Sequence, residues 1–182
     1  EGIDRLKRLI DDLLDLSKLE AGRMAMNREK VDIGKLVRET VGTFKIQAKS
    51  KGLELKLAMP ESSTFIYADR DKIIQVLVNL IGNALKFTEK GFVRAGINIL
   101  EGGGVECFVE DSGRGIAKEN LSHVFDKFQQ FTRSGETGQK GTGLGLSLCK
   151  ALVDMHDGRI SVESEFEKGC RFIFTLPGYS SL

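Results

Sequence analysis

The chain has 182 residues, an apolar share of 41% and a formal net charge of +1; that is enough for one ordinary domain with an appendage, and it provides no global field to draw a nucleic acid or an anionic membrane. Three cysteines, Cys107, Cys149 and Cys170, stand far apart with no CxxC pair, so neither a zinc site nor a disulfide framework is expected, and a reducing, cytoplasmic setting fits. No apolar run is long enough to span a bilayer and no signal peptide is evident.

In chain order, "IDRLKRLIDDLLDLSKLEAG" carries Ile3, Leu6, Leu9, Ile10, Leu13, Leu16 and Leu19 at helical spacing, which predicts an amphipathic helix ending near Gly22. Its stripe calls for a coiled-coil or four-helix-bundle partner, with docking on the chain's own domain as the other option. A strand near Met26–Val31 leads to a helix capped by Asp32 and stopped by Gly52. Strands are expected at 53–59 and 64–68, and Asp69 then caps the long helix "RDKIIQVLVNLIGNALKF". A hairpin of strands 92–100 and 105–110, a short helix, a polar stretch at about 129–142, a helix over 144–156, and strands at 159–164 and 170–176 complete the pattern. Helices and strands mix without regular βα alternation. The expected fold is therefore a two-layer α/β sandwich, a mixed and mostly antiparallel sheet with helices on one face, preceded by one long amphipathic helix.

Three stretches carry chemistry. In "NLIGNALKF", Asn79, Asn83 and Lys86 share one helix face, while Ile74, Leu77, Val78, Ile81 and Leu85 form the opposing apolar face. An amide oxygen suits a hard cation such as Mg²⁺, and an ammonium beside it suits phosphate; the bland alternative is asparagines that bond loop backbone. In "EDSGRGI" a strand runs into a tight turn with the carboxylate of Asp111 at its tip. That group can accept a hydrogen bond from an exocyclic amine, or simply close an Asp-Ser-Gly turn. "QKGTGLGLSLCK" puts Gly141, Gly143 and Gly145 at the mouth of a helix, where unpaired N–H groups suit an anion. A Walker loop fails because Lys140 stands where its second glycine belongs, and a Rossmann fingerprint fails at Leu146.

In this order and at this spacing, "NLIGNALKF", "DSGRGI", "FDKF" and "GTGLGLSL" resemble the N, G1, F and G2 boxes of the ATP-binding domain of sensor histidine kinases. "LIDDLLDLSKLEAG" resembles the second helix of their dimerisation and histidine phosphotransfer domain, and "HDGRISVESEFEKGCRFIFTLP" their closing strands. The resemblance implies a Bergerat-type fold, a partial phosphotransfer helix at 1–25, an ATP-binding domain at 26–178 and a tail at 179–182. It implies ATP and Mg²⁺ as cofactors, with Asn83 as the protein ligand to the metal, Asn79 supporting it, Lys86 reaching a phosphate and Phe87 near the adenine. Asp111 would accept the adenine amino group over a floor shaped by Gly113, Gly115 and Ile116. Phe125 and Phe128 would anchor a lid running to about Gly141, and Thr142, Gly143, Leu144, Gly145 and Leu146 would offer backbone N–H groups to the phosphates. Lid cations Lys127, Arg133 and Lys140 read as solvated loop charges, with contact to the γ-phosphate or a partner as the other option.

The same resemblance implies partners: a histidine-bearing acceptor helix, a response-regulator receiver domain and, in the full-length protein, a second copy. No nucleic acid is expected. The family's acceptor motif is missing, since His123 and His156 both lie in ordinary positions of the ATP domain. The chain thus reads as a piece of a longer kinase, unable to phosphorylate itself in the usual way. Hydrolytic relatives place a glutamate four residues before the metal asparagine. Here Asn79 stands there, and an amide cannot take a proton from water. The alternatives are a hydrolytic ATPase or switch of the same superfamily, and a non-catalytic nucleotide-binding interaction module.

Overall fold

The computed structural model describes residues 2–130 and 142–179. Helix α1 (Gly2–Glu20) comes first, followed by β1 (Arg28–Asp32), α2 (Ile33–Thr43), α3 (Lys45–Ser50), β2 (Glu54–Ala58), β3 (Phe65–Asp69) and α4 (Arg70–Phe87). Strands β4 (Phe92–Ile99) and β5 (Val105–Asp111), a 3₁₀ turn at Lys118–His123, α5 (Gly145–Asp154), β6 (Arg159–Glu165) and β7 (Gly169–Leu176) follow.

Local chemistry sets most boundaries. Gly22, at φ +63°, ends α1 with Arg23 N–H on Lys18 O and Gly22 N–H on Leu19 O, the paired bonds of a Schellman stop. Asp32 caps α2 through Lys35 N–H (3.0 Å), and Asp69 caps α4 through Asp71 and Lys72 N–H. The single helix expected from Asp32 to Gly52 is instead two, broken at Phe44. Thr40 and Thr43 turn their hydroxyls onto Leu36 O and Thr40 O just before the break, a competition that bends helices.

Five strands form the main sheet in the order β2-β4-β5-β7-β6, with β2 and β4 parallel and the other pairs antiparallel. The mixed sheet with helices against one face is as the sequence predicts. Strands β1 and β3 stand apart as a two-stranded antiparallel ribbon. On the helix side the sheet buries Val93, Ala95, Ile97, Val105, Cys107, Val109, Phe172, Phe174 and Leu176. On the other side Phe108 is buried under the Arg171 and Arg94 guanidinium groups, at 4.3 and 5.8 Å from its ring. Arg94 pairs there with Glu110 at 2.6 Å. A charged outer face therefore still covers Phe108, its most buried large apolar side chain.

The apolar face of α4 is rotated from the expected one. Ile73, Val76, Leu77, Leu80, Ile81, Ala84 and Leu85 are buried, Ile74 only partly, and Val78 is exposed. Helices α2 and α5 and the sheet all pack on this helix, and the widest apolar stripe turns toward them. Helix α1 divides its stripe. Leu16 is buried on the domain with Leu9 and Leu19 partly so, whereas Leu6, Ile10, Leu13 and Leu14 remain about half exposed. Asp15 accepts from Gln75 Nε2 (2.8 Å), and Glu20 pairs with Lys127. Lys127 is thus an anchored charge, not a free loop cation. No described helix is long and apolar enough to cross a membrane.

His156 locks α5 to the start of α4. Its Nε2 accepts Asp69 N–H (3.0 Å) and its Nδ1–H donates to Leu152 O (2.7 Å), which requires the neutral ring. Burial pushes its pKa below the ordinary value, with Arg28 adding to the effect and Asp69 and Asp157 opposing it. Because the folded state favours the neutral form, the contribution is complete above about pH 6.5 and is lost as pH falls through the lower folded value. Chemical denaturation across pH 5–8 should show that acid-side loss. His156→Ala should cost about 1–3 kcal/mol at pH 7.5 and flatten the slope.

Candidate functional site

With its apolar face committed to the sheet, α4 carries Asn79, Asn83 and Lys86 on its shoulder, each partly buried. Asn79 meets the glycine segment: a Cβ placed on Gly145 would lie 3.5 Å from Asn79 Cγ and Oδ1. Its Nδ2 is buried against the Cys149 sulfur, a weak acceptor. One helical turn on, Asn83 presents a neutral oxygen donor. No cluster of three or more His, Cys, Asp or Glu able to hold a metal occurs among the described residues. That donor set fits Mg²⁺ arriving with a phosphate ligand better than a resident ion held by protein alone.

At the C-terminal end of α4, Phe87 is half-exposed between two cations, Arg114 at 4.7 Å and Lys86 at 4.9 Å from its ring. Its carbonyl lies against the carboxylate turn, and a Cβ on Gly113 would come within 2.5 Å of Phe87 O. β5 ends there on Asp111, which is buried and accepts Gly113 N–H at 2.8 Å. Burial raises the Asp111 pKa to about 6, only partly offset by hydrogen bonds from the Gly113 and Cys170 backbone and Thr88, with Glu110 pushing it further up. A carboxylate with that environment has spare acceptor capacity and gains from a donor brought by a ligand.

The other wall is the tri-glycine segment. Gly143 takes φ +74°, and a Cβ there would stand 2.7 Å from Phe128 C, so the position requires glycine. Phe128, itself at φ +63°, donates its N–H to Gly143 O (2.8 Å) and leaves its ring exposed. Phe125, partly buried, packs edge-on against Phe172 with centroids 6.3 Å apart. Thr142 Oγ1 accepts Leu144 N–H (3.2 Å) and donates to Asp12 of α1 (3.4 Å). Among the described residues no side chain caps the first-turn N–H groups of α5. Ser147 in its first turn donates to Leu144 O instead, which leaves the dipole end to a ligand or water. Leu144 is buried and Leu146 partly so; both pin the start of α5 to the core.

The helix shoulder, the carboxylate turn and the glycine segment therefore border one region, with Gly115 and Ile116 closing the turn against the sheet. Gly141, Arg133 and Lys140 lie outside the described residues, as does nearly all of the expected lid. Sequence reasoning missed Thr88, although a hydroxyl directly after a core helix was a usable signal. It also missed Arg114 as a cover for Phe87. Cys107 and Cys149 are buried with raised pKa values, the latter to about 12, as inert thiols should be. A depression of about 210 Å³ lined by Asn27, Asp69, Arg70 and Lys72 lies elsewhere and gathers no such set.

Residues 68–180 match the family model described as histidine kinase-, DNA gyrase B-, and HSP90-like ATPase. The chain is 36% identical over 174 residues to the sensor protein SrrB of Staphylococcus aureus, covering 95% of this chain and 30% of that protein. Among solved structures, full-length ShkA in complex with AMPPNP superposes with a TM-score of 0.87 at 31% identity, covering 98% of this chain and 37% of that one. The catalytic domain of histidine kinase ThkA superposes with a TM-score of 0.73 at 28% identity, covering 84% of this chain and 97% of that one.

A ligand that donates to Asp111 binds the ionised carboxylate more strongly than the neutral acid. Its affinity should weaken as pH falls through about 6 and level off above it. Titrating an adenine nucleotide between pH 5 and 8 checks this. Asp111→Asn should lose about 10–100-fold in affinity, as expected for a charge-assisted bond, and abolish the pH dependence.

Proposed function

The chain belongs to the histidine kinase-, DNA gyrase B- and HSP90-like ATPases, and on that premise we propose that it is the ATP-binding catalytic part of a sensor histidine kinase. It spans about 30% of the length of the curated relatives it matches, so the partners of the whole protein enter here as part of the reading. Residues 1–25 would be a partial dimerisation and phosphotransfer helix, 26–178 the ATP-binding domain and 179–182 a tail. Mg-ATP would give its γ-phosphoryl group to a histidine on an acceptor helix outside this chain, for relay to a response-regulator aspartate, on the cytoplasmic side. The observation that carries the reading is the double contact of α4, with Gly145 at Asn79 and with Gly113 at Phe87.

Each residue then has a role its surroundings can support. Asp111 accepts the adenine amino group, with Gly113, Gly115 and Ile116 beneath the ring. Asn83 offers the protein oxygen to Mg²⁺, which when bound neutralises phosphate charge, and Asn79 backs it. Lys86 adds positive charge near the phosphates. Thr142 to Leu146 supply the α5 dipole end, and Phe125 and Phe128 fix the base of the segment between them and Gly141. Catalysis would be positioning and charge neutralisation. With an amide at Asn79 in place of a carboxylate, no described group on the α4 shoulder is a base for water, which favours transfer over hydrolysis.

Neither histidine suits the acceptor role. Both ring nitrogens of His156 are engaged in buried hydrogen bonds, and His123 is held by Asp126 (2.8 Å) beside the lid base. The open Leu6, Ile10, Leu13 and Leu14 edge of α1 would take the missing bundle helices of the dimer.

Calorimetric titration with AMPPNP should show binding that strengthens with Mg²⁺, and Asn83→Ala should abolish that gain. Binding indifferent to both would overturn the metal assignment. Incubation with a separate acceptor-helix domain and γ-labelled ATP should yield acid-labile phosphohistidine, with release of free phosphate much slower than transfer. Rapid phosphate release with an unlabelled acceptor would establish a hydrolytic ATPase instead.

A further inference from the structure

The turn from Asp111 to Ile116 does not hold its shape alone; the hairpin joining β6 and β7 clasps it. Strand register pairs Val93 with Asp111, Asp111 with Cys170, and Cys170 with Ser164. Asp111, Cys170 and Ser164 therefore stand in one row across three strands, on the helix side of the sheet. From the hairpin, Glu167 N–H donates to Arg114 O (2.7 Å). Gly115, at φ +66°, passes so close that a Cβ would lie 2.1 Å from Glu165 O. The end of the turn is fixed by a side chain. Ile116 N–H donates to Ser164 Oγ (2.8 Å), while the Ser164 hydroxyl proton goes to Gly169 O (2.7 Å). Cys170 Sγ lies 3.2 Å from the same oxygen. A hydroxyl has one donor and two acceptor positions, and here an amide, a carbonyl and a thiol fill all three.

We propose that Ser164 is a positioning residue for the base-binding end of the cleft, holding the Ile116 amide and so setting the level of the turn against Asp111. This rests on the nucleotide-binding reading above. Ser164 touches no ligand in this account. Its effect passes through the turn: with the hydroxyl gone, Ile116 N–H loses its acceptor and Gly169 O loses a donor, and while Ser112 and Gly113 stay held by Phe92 O and Asp111 Oδ1, the Arg114–Ile116 half is left to the Arg114–Glu167 backbone bond and the close packing of Gly115. The base then meets a floor that must be ordered on binding, and that cost appears in affinity.

Two measurements test this. In the protein without nucleotide, amide exchange at Ile116 should speed up in Ser164→Ala and return to the wild-type rate in Ser164→Thr, with the β5 and β7 amides unchanged. In calorimetry, Ser164→Ala should weaken ADP and AMPPNP by a similar factor of about 5–20, the size of one lost hydrogen bond. The wild-type response to Mg²⁺ should survive, and Ser164→Thr should recover binding to within about twofold. A general loosening of the domain would move the β5 and β7 amides and the Mg²⁺ response as well, and would overturn the proposal. So would Ser164→Ala binding both nucleotides as the wild type does. Wild-type protein that binds neither nucleotide would defeat the nucleotide-binding reading itself, and this proposal with it, whatever the exchange rates show.

Discussion

Seven side chains of α4, from Ile73 to Leu85, sink against the sheet and its neighbouring helices, and that burial fixes the rotation of the helix about its own axis. The six larger ones contribute about 1.5–3 kcal/mol each and Ala84 less, so turning the helix away would forfeit an amount comparable to a small domain's whole stability. The polar groups have no say in this. Asn79, Asn83 and Lys86 stand on the shoulder because the apolar stripe has claimed the rest of the circumference. The glycine segment reaches Asn79, and the carboxylate turn reaches Phe87, because both pack on a helix whose orientation is already settled. The candidate site is therefore rigid along one wall, as a site relying on positioning needs to be.

The opposite constraint acts at Asp111. Burying a carboxylate is costly, and the fold recovers only part of that cost through the Gly113 and Cys170 amides and Thr88. A residue serving only the turn would be better placed in solvent. One that must meet a donor from a ligand benefits from low dielectric, because the hydrogen bond it makes there is stronger than in water. The carboxylate sits where the central strand β5 stops near the end of α4, so a single strand end joins the core to the cleft.

Helix α1 shows how one amphipathic surface meets two demands. Its Leu16 edge and the acids Asp12, Asp15 and Glu20 hold the domain, reaching Thr142, Gln75 and Lys127. The Leu6–Leu14 edge stays open. Two of these three polar contacts fall on the residues that flank the segment between Phe128 and Thr142, so α1 borders the wall that a nucleotide would approach. Surface contacts of this sort are worth little individually, which suits a helix that packs on the domain without being fused to it.

Much of this was legible in the amino-acid order. Caps at Asp32 and Asp69, glycine stops at Gly22 and Gly52, and alternation along the strands are local, and local dihedral and hydrogen-bonding preferences set them before any packing occurs. The residue types of the site were legible too, because amides, a carboxylate-glycine turn and a tri-glycine helix mouth each state their chemistry within a few residues. Three features were decided only by tertiary structure. The rotation of α4 left Val78 outside, because the choice among apolar residues depends on what the helix meets. The α1 stripe divided between the domain and solvent for the same reason. Ser164 came to hold Ile116 through a register two strands away, and nothing in "SVESE" signals that, since long-range pairing leaves no trace in the neighbours of either residue.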